Sequence, residues 1–171
     1  KDYKPDSVDV AEGFLLMKQL QDKGDYESEV DVAERLREIG TSSGQSVQAF
    51  SIMSRMSPEG MVKYAQGTLD SAFKNLSKKK SQSWIDKNKE KYKLSADEVK
   101  EIVEHMEKAK NLTDGREKDV EVALAMKVVQ DKMPSTFIDK LKAYERVNML
   151  LNTKTMVRNI LGNLTISPVN L

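Results

Sequence analysis

Side chains with chemical reach gather in residues 140–163, KLKAYERVNMLLNTKTMVRNILGN. Asn152, Thr155, Arg158, Asn159 and Asn163 join a forked cationic donor to amides that both donate and accept, a set suited to gripping a polypeptide backbone or a phosphate. Thr155, Asn159 and Asn163 recur every four residues and so share one helix face. Arg158 sits beside that face, and Val157, Ile160, Leu161 and Leu164 cover another. The same groups could instead brace the fold, the amides and guanidinium capping neighbouring helix ends while Gly162 lets helices approach closely. Bracing is the simpler role, because polar groups on a half-buried helix usually satisfy backbone atoms.

Residues 78–93 form the second such set, with seven lysines against Asp86 and Glu90 and a local charge of +5. Lys78, Lys79, Lys80, Lys87 and Lys91 could meet phosphates while Trp84 and Tyr92 stack on bases. Lysines two positions apart diverge around a helix, so 87–93 makes no single basic stripe. A solvated, hinge-like connector anchored by Trp84 and Ile85 is the plainer reading.

Little else points to catalysis. His105 is the sole histidine, and Ile102 occupies the position where a Glu-x-x-His metal pair needs its carboxylate, although Glu101 and Glu98 lie one and two turns before it. Asp114-Gly115 resembles a calcium loop only at that dipeptide, with Lys110 and Leu112 where oxygen ligands belong. No Gly-rich phosphate loop or Gly-x-Ser-x-Gly is present, and cysteine is absent. The chain is therefore expected to have no catalytic residue, metal or cofactor. Lys and Arg total 28 against 27 Asp and Glu, so the net charge of +1 gives no strong overall field toward nucleic acid or lipid. The longest apolar run, Phe14-Leu15-Leu16-Met17, is far too short for a membrane span.

The elements that must position these groups read as helices throughout. Good helix formers dominate, Gly and Pro are few, and alternating strand patterns are short, which predicts an all-α bundle or array of about eight to nine helices with no sheet. A first helix is predicted over 7–23 with Ala11, Phe14, Leu15 and Leu20 buried, and a second over 26–39 with Val30, Ala33, Leu36 and Ile39 buried. A third spans about 43–56 through Val47, Phe50, Met53 and Met56. Ser57-Pro58-Glu59 starts a fourth, carrying Met61, Ala65, Leu69, Phe73 and Leu76. Ser95 and Glu98 form a capping box, so a helix begins at Ala96 with Val99, Ile102, Val103, Met106 and Ala109 inward. Another covers 116–132, with Val120, Ala123, Leu124 and Val128 inward, and Pro134 closes it. The last two are expected over 135–151 and 153–164. The lysine-rich stretch divides an N-terminal lobe, 1–77, from a C-terminal lobe, 94–171, unless the two are continuous.

Two segments resemble helical regions of the very large polyvalent proteins of bacteriophages and integrative or conjugative elements. They are GQSVQAFSIMSRMSPEG, 44–60, and LLNTKTMVRNILGN, 150–163, the second similar to the recurring L-x-N-x-x-T-x-x-R-N-x-x-G-N. About 30 residues are covered closely, and the second motif is the more specific. The family's region often has Pro-Arg or Pro-Lys after its first Asn, where this chain has Thr153-Lys154. The resemblance implies a long helical region set among unrelated enzymatic domains, without an established activity of its own. Its motif positions here are Asn152, Thr155, Arg158, Asn159, Gly162 and Asn163.

The resulting expectation is a non-enzymatic interaction or spacer domain of a larger phage-related or mobile-element protein, cytoplasmic in a bacterial host. A start at Lys1 and an apolar finish over 166–171 read as an excised fragment. Eleven of the last twenty-three residues are apolar, which favours docking on other domains of the parent protein or on a second copy. Five methionines, Met53, Met56, Met61, Met106 and Met149, could form an adaptable groove, or simply fill a core. A helical nucleic-acid-binding module using 78–93 is the alternative.

Overall fold

Serines set the starts of three helices. Ser57, Ser81 and Ser95 are each extended, and their hydroxyls accept the backbone N–H of Gly60, Trp84 and Glu98. Each bond satisfies one of the donors that a helix start leaves without an internal partner. At Ser95 the box closes as expected, the Glu98 carboxylate accepting the Ser95 N–H at 2.7 Å.

The computed structural model describes residues 7–38, 45–133 and 153–162. Among them it is all-α: α1 (Ser7–Lys23), α2 (Tyr26–Glu38), α3 (Gln45–Met53), α4 (Pro58–Ser77), α5 (Gln82–Asn88), a 3-10 turn (Lys89–Tyr92), α6 (Ala96–Asn111) and α7 (Arg116–Lys132). Residues 153–162 are also helical. These seven bounded helices are fewer than the eight or nine expected, and the helix expected over 135–151 lies outside the described residues. None among the described residues is long and apolar enough to cross a membrane.

Gly24 ends α1 in the left-handed region, φ 70°, where a side chain would be strained. Its N–H reaches the Gln21 carbonyl and the Asp25 N–H reaches the Leu20 carbonyl, the paired bonds of a Schellman turn. Asp25 at once caps α2 by accepting the Ser28 hydroxyl and N–H, which hold its carboxyl below the usual range. The antiparallel α1–α2 pair follows from this turn. In it Gly13 faces Leu36 so closely that a Cβ would fall 2.3 Å from a Leu36 methyl.

That approach sets a different face of α1 inward from the one expected. Met17 is buried and Val10 and Phe14 pack against the core, whereas Leu15 is 63% exposed and Ala11 is also exposed. α7 differs in the same way. Val122, Ala123, Ala125, Met126 and Val129 are buried, while the expected Val120, Leu124 and Val128 are half-buried. Both helices carry apolar residues on nearly every side, so periodicity alone does not choose the inner face.

α4 is the central element, packed on α2 and α6, and α6 packs most extensively on α7. Helices from both sides of 78–93 share one apolar core, in which Met53, Met56, Met61 and Met106 are buried as filler. The lysine-rich stretch is itself ordered on α4. Phe73 stacks on Trp84 at 6.2 Å and meets Tyr92 at 5.2 Å, while Gln66 donates to the Tyr92 carbonyl and accepts the Leu94 N–H. The stretch forms α5 and the 3-10 turn, with Trp84 anchoring it as expected.

The start of α4 rests on a buried acid. Glu29, fully enclosed on α2, accepts the Ser57 N–H at 2.6 Å, the Ser57 hydroxyl and the Gln21 amide at 2.8 Å. The positive end of the α4 dipole faces the same carboxylate. Gly60 makes room for it, since a Cβ there would lie 2.4 Å from Glu29 Oε2.

α6 and α7 are tied by Lys132, which donates to Glu98. Burial pushes the Glu98 carboxyl up, but the Lys132 ammonium and the Ser95 donors outweigh it and hold the carboxyl below its ordinary 4.5. A depressed carboxyl stabilises the fold above its unfolded pKa and loses that contribution as pH falls through the lower folded value. Asp119 opposes it, being raised by burial and by Asp114. Acid titration followed by thermal melts should therefore show a fall in Tm beginning below about pH 4.5. Lys132→Met should flatten that fall.

Candidate interaction surface

Residues 153–162 are anchored from beneath. Thr153 is fully buried, with Gln130 of α7 donating to its hydroxyl at 3.4 Å, and Val157 is 3% exposed. Met156, Ile160 and Leu161 pack against the core. The opposite side presents Lys154, Thr155, Arg158 and Asn159, all exposed. At 100° per residue these four span about 140° of the helix, one continuous polar face. Thr155, Arg158 and Asn159 are exposed, and among the described residues they cap no neighbouring helix end. Gly162 is half-buried, and among the described residues nothing lies within 4 Å of where its Cβ would stand. Asn152 and Asn163 lie outside the described residues.

The lysine-rich surface is separate. Lys78, Lys79, Lys80, Lys87 and Lys91 are all exposed. Trp84, the proposed base-stacking residue, is half-buried, with Phe73 against its ring and the Lys80 ammonium 5.5 Å from the ring centre. Tyr92 is buried, and that burial raises its hydroxyl pKa.

Two features of the surface were not visible in the sequence. His105 Nδ1 lies 2.6 Å from Glu121 Oε2 of α7, with both side chains about four-fifths buried. The expected neighbours Glu98 and Glu101 are not its partners, and no group of three or more His, Cys, Asp or Glu among the described residues could hold a metal. A cleft of about 740 Å³ opens beside the pair between the C-terminal end of α6 and the start of α7, with Lys108, Arg116 and Glu117 at its rim.

The second feature is a groove of about 690 Å³ between α1, the α3–α4 corner, α6 and α7. Phe14, Leu15, Met56 and Met106 supply its apolar lining, and Lys18, Arg55, Lys110 and Lys118 its cations. The Arg55 guanidinium lies 4.6 Å from the Phe14 ring centre and donates to the Ser51 carbonyl and hydroxyl. Lys18 pairs with Asp22 at 3.3 Å and Lys118 with Asp114 at 2.8 Å. These contributors come from distant stretches of chain, so no local spacing marks them. The one available signal was Leu15, an apolar residue on a helix whose other side already suffices to bury it.

The chain matches no protein-family model, no curated protein and no solved structure.

Proposed function

We propose that this chain is a non-enzymatic helical interaction or spacer domain of a larger phage-related or mobile-element protein. Thr155, Arg158 and Asn159 act as a docking strip toward another domain of that protein or a second copy. The observation that supports this is the outward polar face of 153–162 on a helix whose other side is fixed by Thr153 and Val157. A rigid helix presenting Arg and Asn offers directional donors and acceptors already held in place, which lowers the ordering cost of binding. Three positions of the segment that resembles the polyvalent-protein motif, Thr155, Arg158 and Asn159, are exposed together on this helix, which supports the reading.

Deleting everything after residue 150 is a poor test, because it removes buried Thr153 and Val157 along with the strip. Arg158→Glu changes only an exposed side chain. Sedimentation of the chain, alone and mixed with the segments encoded on either side of it, should reveal an association that Arg158→Glu weakens about tenfold or more. A chain that stays monomeric and binds neither segment, or an Arg158→Glu variant that associates as wild type does, would refute the reading.

A second reading, nucleic-acid binding through 78–93, is favoured by the exposure of its lysines. With Trp84 and Tyr92 committed to Phe73, it reduces to phosphate contacts alone, which are sequence-independent and weaken steeply with salt.

A further inference from the structure

We propose that the groove between α1, the α3–α4 corner and α6 docks an acidic amphipathic helix of a partner protein. The site shares no residue with the Thr155/Arg158/Asn159 strip and does not depend on it.

Charge and apolarity together choose the occupant. Four cations line the groove against Asp22, Glu59 and the Asp114 carboxylate that pairs with Lys118, leaving an excess of one positive charge. Lys18 and Lys118 already have carboxylate partners, Asp22 and Asp114. Arg55, exposed and 4.6 Å from the Phe14 ring centre, already feels the Asp114 carboxylate, which leaves the exposed Lys110 as the cation to meet an incoming carboxylate. Between these cations the lining is apolar, and Leu15 stands 63% exposed on the wall. A phosphate backbone would neutralise the rim but gain nothing from Phe14, Leu15, Met56 and Met106. A helix with apolar residues on one face and Glu or Asp on its flanks satisfies both, seating side chains at helical spacing between the walls.

A second copy of the chain is a poorer fit. Among the described residues the exposed large apolar side chains are Val8, Leu15 and Leu16, all on α1, which is itself the wall of the groove. The exposed Glu12 lies one turn from all three on that same wall, and the exposed acids Asp97, Glu101 and Glu104 lie on α6, away from any such side chain.

The probe is a synthetic Leu/Glu amphipathic helix, compared by fluorescence anisotropy with a Leu/Lys helix of equal length and with a single-stranded oligonucleotide. The Leu/Glu helix should bind saturably and perturb NMR signals of Leu15 and Met106. Lys110→Glu and Leu15→Ser, both at exposed positions, should each weaken it about tenfold or more. Arg158→Glu should bind it unchanged, which separates this site from the docking strip. Equal binding of the Leu/Lys helix, displacement by the oligonucleotide, wild-type affinity in both groove variants, or no saturable binding would each overturn the proposal. So would a dimer of the chain that Leu15→Ser dissolves.

Discussion

Glu29→Ala should destabilise the protein by about 3 kcal/mol and lower its Tm by roughly 10 °C, as read by chemical and thermal unfolding. The side chain is fully enclosed, and its carboxylate accepts the Ser57 N–H, the Ser57 hydroxyl and the Gln21 amide. Truncation strands the Ser57 N–H inside the fold and leaves a void. Gln21 is spared in part, since its amide also donates to the Arg55 carbonyl at 2.7 Å. Removing a buried charge recovers some desolvation energy, so the loss falls short of three charged hydrogen bonds summed. Glu29→Gln keeps one acceptor oxygen and the volume, and should cost only about 1 kcal/mol. Equal stability of Glu29→Ala and wild type would mean that the buried seat at the start of α4 does not form.

Gly60→Ala should be destabilising by about 2 to 3 kcal/mol, against the gain of up to about 1 kcal/mol that this exchange brings in an ordinary helix. A Cβ at Gly60 would stand 2.4 Å from Glu29 Oε2, 2.7 Å from its Cδ and 2.9 Å from Ser57 Oγ. The carboxylate is pinned by its donors and cannot withdraw without breaking them. The two substitutions should therefore be strongly coupled. In a Glu29→Ala background most of the clash is gone, and Gly60→Ala should become nearly neutral. A double-mutant cycle measured by urea unfolding gives the coupling directly, expected at about 2 kcal/mol. Additive effects would show that glycine is needed at 60 for some reason other than the acid opposite it. This pair also gives a physical sense to the close of segment 44–60, whose final Ser-Pro-Glu-Gly is where α4 starts over Glu29.

Much of the fold was legible because it is local. The Ser95/Glu98 box and the Ser57-Pro58 start need only residues within a few positions of one another, and both stand where spacing puts them. α2, with Val30, Ala33 and Leu36 on one side and charges on the other, was equally plain. The inner faces of α1 and α7 were not. Leu15 looked like a core residue and is exposed, while Met17 and Val122 are core. Gly13 decided the first case, because only its missing side chain lets Leu36 come so close. The polar strip was visible as a face of Thr155 and Asn159, but not its direction, which depends on Val157 entering the core. Nothing in the local pattern marks Glu29 as a buried acid. Its sole trace was Gly60, a poor helix former placed inside the first turns of α4.

Residue order alone determined that the described chain is helical, where most of its helices start and stop, and that 78–93 is its most basic stretch. Those properties arise from hydrogen bonds and torsional preferences within a turn or two of backbone. Tertiary packing alone decided which side of α1 and α7 faces inward, that Glu29 sits beneath α4, that His105 meets Glu121, and that Arg55 and Lys110 border one groove. Each of these joins residues from different helices, and their meeting depends on how closely whole helices can pack, which no local pattern encodes.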